Sequence, residues 1–168
     1  MAKTHPYTVP GLTLEEGHGM NDALQGRLNA MNDLHLTLKH AHWNVVGRNF
    51  IAVHEMLDPQ IDLVRGFADE IAERIATLGG SPIGVPGRSE YQHSDHVYGV
   101  DRASTQHHLK ELAEVYDRVI EAHREAIELS GRVDPITEDI LIGQSKELEK
   151  FQWFVRAHLE DAAGEIPN

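Results

Sequence analysis

Residues 38–74 read LKHAHWNVVGRNFIAVHEMLDPQIDLVRGFADEIAER, with Gly47 between two runs of helical periodicity. Before the glycine, apolar and histidine side chains recur at steps of three and four residues, which places them on one face of a helix. After it, a second helix is predicted over residues 51–78, ending at Gly79-Gly80, because glycine is common just beyond a helix end. The stripe of the first helix consists of Leu24, Leu28, Met31, His35, Leu38 and His42.

The rest of the chain predicts two more long helices. A third helix is expected over residues 102–130, and a fourth begins at Asp134-Pro135, a typical cap and first helical position. Residues 79–101 contain two prolines and five glycines and form a long connection. Four helices with one long crossover are typical of a ferritin-type bundle. The sequence therefore predicts an all-α fold, a ferritin-like four-helix bundle. The expected organisation is one domain over residues 1–168, with an N-terminal tail at 1–20 and a C-terminal tail at 161–168.

Two pairs of potential metal ligands lie at four-residue spacing in the second predicted helix, and another histidine precedes them. One turn of helix brings residues i and i+4 to the same face, so each pair can present two donor atoms to one ion. Two imidazoles with three carboxylates form a nitrogen and oxygen set suited to iron, manganese or zinc rather than calcium or copper(I). The residues are His42, the pair His54 and Asp58, and the pair Asp69 and Glu73.

The two pairs are too far apart to share one ion within one chain. Asp58 and Asp69 are eleven residues apart, and the rise of a helix separates them by roughly 16 Å. In an antiparallel second copy of this helix, the pair Asp69 and Glu73 would lie opposite His54 and Asp58 of the first copy. A two-fold dimer repeats each contact, so it would form two equal sites at its interface.

Simpler interpretations remain open for the same residues. Asp58-Pro59 is also typical of a helix start, which would leave His54 in a loop. Asp69 and Glu73 suit an ordinary solvated helix face. The zinc-protease motif needs a second histidine four residues after the first, and Asp58 occupies that position, so the motif is not satisfied.

Several long motifs resemble those of the Dps family (DNA-binding protein from starved cells), the small relatives of ferritin, and most closely its actinobacterial branch. The matches extend over nearly the whole chain and are far longer than a chance four-residue match. They are LHLTLKHAHWNVVG at 34–47, NFIAVHEMLD at 49–58, DEIAER at 69–74, LGG at 78–80 and LEKFQWF at 148–154.

The resemblance implies a ferroxidase centre between subunits, with His42, His54 and Asp58 from one chain and Asp69 and Glu73 from its two-fold mate. It also implies oxidation of ferrous iron, with two ions possible at each site and hydrogen peroxide preferred over oxygen. The family forms a hollow homo-dodecamer that stores ferric mineral. Its fold has a short extra helix inside the 79–101 connection.

The remaining aromatic and histidine residues have less specific interpretations. Trp43 follows His42 and could pack on the iron site and quench radicals, or bury its ring at an interface. His35 shares the stripe with His42 but lies about two turns away, which favours a packed imidazole over a ligand. We expect four further histidines to be exposed polar side chains: His93, His96, His107 and His108.

The charge of the chain argues against nucleic acid as a principal partner. The chain has 15 basic and 27 acidic residues and a formal charge of −12. DNA binding depends on Lys and Arg neutralising phosphates, yet the N-terminal tail offers only Lys3 and no Lys or Arg follows Arg156. We expect weak or absent DNA binding. The acidity suits a cavity that gathers cations, and Asp134, Glu138 and Asp139 are candidates for an iron-admitting pore, although a capped first turn explains them equally well.

Composition is that of a soluble globular protein. Apolar residues make up 40% of the chain and charged residues 25%. No apolar run approaches a membrane span, no signal peptide is evident, and there is no cysteine. We therefore expect a cytoplasmic protein without a membrane partner.

Two other functions are compatible with the same residues. A carboxylate and imidazole metal site can activate water, as in a metal-dependent hydrolase, and zinc or manganese content without iron oxidation would favour that function. A nucleoid-compacting protein would retard DNA at low salt. Iron storage with ferroxidase activity is the function that the motifs favour.

Overall fold

The computed structural model of the chain describes residues 5–85 and 98–162. Within these ranges the elements are α1 (Leu14–Asn44), β1 (Val45–Val46), α2 (Phe50–Thr77), β2 (Ala103–Ser104), α3 (Thr105–Ser130) and α4 (Pro135–Ala162). The predicted all-α class and the four-helix bundle are confirmed. None of the helices in these ranges is both long enough and apolar enough to cross a membrane.

The bundle consists of two helical hairpins that pack against each other. α1 packs mainly on α2, and α3 mainly on α4, while α1 meets α3 and α2 meets α4 less extensively. The two short strands form a parallel pair, with Val45 opposite Ala103 and Val46 opposite Ser104. This pairing, which the sequence did not predict, ties the α1–α2 turn to the start of α3. The largest fully buried side chains are Leu24, Met31, Leu34, Leu38, Leu57, Ile71, Ile75, Leu78, Leu109, Leu112, Tyr116 and Leu141.

The first helix begins earlier than the expected tail at 1–20 allows. α1 starts at Leu14, and Thr13 and Glu16 form a reciprocal capping box that satisfies backbone N–H groups of the first turn. The Thr-x-x-Glu spacing is a sequence signal for this start, which the prediction missed. At the other end, α4 continues to Ala162, so the expected C-terminal tail at 161–168 begins too early by two residues. Residues 163–168 lie outside the described ranges.

The second helix is continuous through Pro59, and the interpretation of Asp58 as a helix start is therefore wrong. α2 begins at Phe50, after a tight turn in which Gly47 and Asn49 adopt positive φ angles of 94° and 62°. Glycine meets no Cβ penalty in that conformation, and asparagine tolerates it better than most residues. The turn lets His54 and Asp58 lie one helical turn apart on a regular helix.

The other boundaries agree closely with expectation. Asp134 caps α4, as predicted, by accepting the backbone N–H of Ile136 at 3.2 Å. α3 begins at Thr105 rather than near 102, with Ser104 as its cap. The described parts of the long connection, 79–85 and 98–101, contain no helix. The short helix expected there concerns residues outside the described ranges.

Candidate metal centre

Three of the five predicted ligands meet where α1 ends and α2 begins. One ligand atom from each of His42, His54 and Asp58 lies within 4.8 Å of the others. The His42 residue is 7% exposed, whereas 49% of the Asp58 side chain is exposed. The cluster is therefore anchored in the bundle on one side and open to solvent on the other.

The two histidines hold each other through reciprocal backbone contacts. His42 Nδ1 lies 3.0 Å from the carbonyl oxygen of His54, and His54 Nδ1 lies 2.9 Å from the carbonyl oxygen of His42. Because a carbonyl only accepts, each Nδ1 carries the proton and donates it. The rings stack with centroids 3.6 Å apart. In the neutral rings, Nε2 is then the atom with a free lone pair, and this arrangement is common for metal-binding histidines.

The Asp58 carboxylate has two positively polarised neighbours. Its Oδ1 lies 3.2 Å from Lys39 Nζ and 3.4 Å from His42 Nδ1. Asp58 therefore faces the cluster from α2, while Lys39 reaches it from the preceding turn of α1. Carboxylate and imidazole donors at one point suit a divalent transition metal.

The remaining pair, Asp69 and Glu73, does not join this cluster. Both residues lie further along α2 and are exposed, in agreement with the distance that the helical rise imposes. Asp69 borders an open groove of about 600 Å³ between α1 and α2, whose lining also includes Asp62, Arg65 and Pro82. Three of the five predicted ligands thus come together in one chain, and the other two lie on a separate exposed surface.

Comparisons with known proteins agree with this architecture. The ferritin-like domain family matches residues 21–164. The "DNA protection during starvation protein" of Mycolicibacterium smegmatis is 55% identical, over 95% of this chain and 87% of that protein. The "Fine tangled pili major subunit" of Haemophilus ducreyi is 54% identical, over 99% and 88%. The solved structure of DpsA14 from Streptomyces coelicolor is 53% identical, with a TM-score of 0.92 and complete coverage of both chains.

The chain belongs to the Dps branch of the ferritin-like family. The resemblance seen in the sequence motifs is thereby confirmed. Among residues 5–85 and 98–162, His42, His54 and Asp58 are the group of His, Asp or Glu side chains whose geometry could hold a metal ion.

Two residues near the centre do not join the cluster in this Dps-family chain. The Trp43 side chain is 68% exposed, which leaves both of its interpretations, at the iron site or at an interface, as predictions. His35 is partly buried, and its pKa is lowered by burial and by the nearby cations of Arg65 and Lys39. A lowered pKa keeps this imidazole neutral near pH 7, but it is not one of the three clustered ligands.

The expectation that His108 is exposed is wrong. His108 is fully buried, and its Nδ1 is hydrogen-bonded to the hydroxyl of Tyr98 at 2.6 Å. Burial lowers the pKa of His108 and raises that of Tyr98. The sequence held a signal, because His108, Leu112 and Tyr116 recur at four-residue steps on the buried face of α3. His107 is exposed as expected, and His93 and His96 lie outside the described ranges.

Asp134 is hydrogen-bonded to other residues of the same chain. These bonds favour its interpretation as a helix cap over its interpretation as a pore residue. Asp134 is buried and accepts from Arg74 Nη2 at 2.5 Å and from the Thr137 hydroxyl. Burial opposes its charge, yet the bonds from Thr137 and Arg74 outweigh this and hold the pKa of Asp134 below its usual value. Glu138 is half-buried and Asp139 exposed, so the pore proposal now rests on those two residues.

Proposed function

We propose that the protein oxidises ferrous iron at centres formed between two subunits and stores the ferric product. The observation that carries this proposal is the cluster of His42, His54 and Asp58, with ligand atoms within 4.8 Å of one another on the exposed side of the α1–α2 turn. Membership of the ferritin-like family supports iron as the metal. Iron is here the substrate, and it leaves as mineral.

The second part of each centre is proposed to come from the two-fold mate. Three ligands from one chain leave coordination positions open, and Asp69 and Glu73 present two carboxylates one helical turn apart. An antiparallel partner α2 would bring these carboxylates to the His54 pair, and the two-fold axis would repeat the site. Together the five residues supply two imidazole nitrogens and three carboxylates.

The proposed chemistry follows from these ligands. Carboxylates stabilise the ferric product, and the imidazoles favour binding of ferrous iron. Two ferrous ions each give one electron to hydrogen peroxide, which takes up two protons and forms two molecules of water. Because both electrons are available at one centre, no hydroxyl radical is released. We propose peroxide as the preferred oxidant, with two iron ions at each centre.

Storage requires an enclosed space, and we propose a hollow homo-dodecamer built from two-fold dimers. The charge of −12 on each chain would draw cations towards acidic surfaces by focusing the field. The same charge supports weak or absent DNA binding, since neither end of the chain has a cluster of basic residues. We also propose a cytoplasmic location. The mycobacterial relative is named for DNA protection, which iron detoxification would provide without DNA contact.

The test is iron oxidation by variants of the cluster. Anaerobic ferrous loading followed by peroxide, monitored optically, should show oxidation at least tenfold slower in His54→Ala and Asp58→Ala, because each loses a ligand. His107→Ala and Asp101→Ala are matched controls, since both residues are exposed outside the cluster. Size exclusion and circular dichroism verify assembly and folding. Equal rates in all four variants would contradict the proposal, and zinc-dependent amide hydrolysis without iron oxidation would support a hydrolase.

A further inference from the structure

The ammonium group of Lys39 lies beside the proposed iron centre. Its Nζ lies 3.2 Å from Asp58 Oδ1, and the same oxygen is 3.4 Å from His42 Nδ1. Lys39 precedes His42 by three residues on α1, so both side chains reach the Asp58 carboxylate from the same face. One of the three clustered ligands is thus already paired with a cation.

Stability of the fold does not account for this pair. The Lys39 side chain is 31% exposed and the Asp58 side chain 49% exposed. Water screens such ion pairs, and they contribute little to the free energy of unfolding. The pair also links only neighbouring turns of α1 and α2, which already pack extensively.

The pair has a larger consequence for metal binding. A divalent ion that binds His42, His54 and Asp58 requires the carboxylate that the ammonium holds. Repulsion between the ammonium and the ion grows as the distance between them falls. This repulsion opposes metal binding while the ammonium stays beside Asp58 Oδ1, and it favours movement of the flexible lysine side chain away from the ion.

We propose that Lys39 is the resident counter-cation of Asp58, which substrate iron displaces on binding and which returns as ferric iron leaves. This inference rests on the proposed ferroxidase function. It adds that Lys39 controls how tightly the centre binds iron and how quickly the product leaves. Lys39 acts through Asp58 and is a positioning residue. It weakens metal binding and prevents the product from occupying the centre permanently.

Co²⁺ provides the first test, because it binds imidazole and carboxylate ligands without needing an oxidant. Titration of the assembled protein should show about tenfold tighter Co²⁺ binding in Lys39→Met, which corresponds to about 1.4 kcal/mol. Lys39→Arg keeps the charge and should bind like the unmodified protein. Lys110→Met removes the same charge from an exposed position on α3 and should also leave binding unchanged. Equal affinity in the Lys39→Met and Lys110→Met proteins would overturn the role of Lys39.

Turnover provides the second test, with a readout that a purely structural role would not change. Iron and peroxide are added in successive small loads, and the rate of each load is compared with that of the first. In Lys39→Met the later loads should slow several-fold relative to the first, since ferric iron clears the centre more slowly. The same ratio in Lys39→Met and Lys110→Met would also overturn the inference.

His54→Ala separates the two proposals. If His54→Ala binds Co²⁺ as tightly as the unmodified protein, the centre itself is misplaced and both proposals fail. If His54→Ala loses Co²⁺ binding while Lys39→Met matches Lys110→Met, the centre stands and only the role of Lys39 is wrong.

Discussion

Two histidines at the end of α1 lie only two residues apart and have different surroundings. His42 faces α2, stacks on His54 and lies beside the half-exposed Asp58. His40 faces the start of α3, where its Nε2 donates to the carbonyl oxygen of Val100 at 2.9 Å. We call the first group, His42, His54 and Asp58, the open side, and the second, His40, Tyr98 and His108, the closed side.

The two sides differ in the groups that lie beside the imidazoles and in their exposure to solvent. On the open side each Nδ1 is bonded to a backbone carbonyl, which leaves Nε2 and a carboxylate for a cation. On the closed side no carboxylate of the described residues forms such a cluster with the histidines. There His40 Nε2 and His108 Nδ1 bond to a loop carbonyl and to the Tyr98 hydroxyl, and His108 Nε2 is buried away from solvent. The exposed carboxylate of Asp58 beside stacked imidazoles makes the open side the candidate metal site, although both sides contain two histidines.

The largest effect is expected from damage to the proposed centre, which combines the open side of one chain with Asp69 and Glu73 of its mate. Asp58→Ala and Glu73→Ala subunits should each oxidise iron 10- to 100-fold more slowly, in line with lost metal ligands or their supports. Co-assembled, some mixed dimers would carry one intact centre, made from the undamaged half of each chain. Activity measured after co-assembly should therefore partly return. Verified mixed dimers without recovery would contradict ligands from opposite chains.

Another buried histidine, His123, lies in the bundle core and predicts how the stability of the fold depends on pH. His123 is fully buried and bonded to Gln144 Oε1 at 3.1 Å, and burial lowers its pKa to about 4. Between pH 6.5 and 4 the unfolded chain binds a proton that the folded chain does not, so stability falls as the pH falls. The loss should approach about 3 kcal/mol at pH 4.

The control for this prediction is His123→Gln, which keeps a hydrogen-bonding side chain but does not titrate. Its free energy of unfolding, measured with denaturant, should decrease less between pH 6.5 and 4 than that of the unmodified protein. Parallel curves for the two proteins would show that His123 does not contribute to the acid sensitivity.

A smaller effect is expected from the closed side. His108→Leu leaves the half-buried Tyr98 hydroxyl without this hydrogen-bond partner and should cost about 1–3 kcal/mol of stability. Adding Tyr98→Phe removes the other partner, so the double variant should recover part of that loss. Co²⁺ binding should be unchanged in both. A loss of Co²⁺ binding in His108→Leu would show that the two sides of α1 are not independent.

The smallest effect is expected with DNA. Near neutral pH and physiological salt, the assembled protein should not retard duplex DNA in a gel, because few phosphates would be neutralised. Near pH 5.5, protonation of exposed histidines should allow only weak retardation. Strong compaction of DNA at neutral pH would mean that assembly creates a basic surface that a single chain lacks.

Much of the fold could be predicted from periodicity because helical patterns are local. Steps of three and four residues located all four helices, and Asp134-Pro135 located the start of the fourth. The first helix was placed too late because the capping box at Thr13 and Glu16 precedes the apolar stripe. The β1–β2 pairing could not be predicted, since it joins residues about 58 positions apart in two-residue strands.

For the candidate site, the sequence by itself determined the ligand types, their four-residue spacing and the separation of Asp69 from Asp58. These follow from helix geometry, which is the same wherever the helix lies. Only the tertiary structure decided which ring nitrogen of His42 and His54 is not bonded to the backbone. It also decided that Lys39 pairs with Asp58 and that Arg74 pairs with Asp134. It also decided that His108 and His123 are buried. These properties depend on side chains from different helices, whose approach is set by packing across the bundle and not by neighbours along the chain.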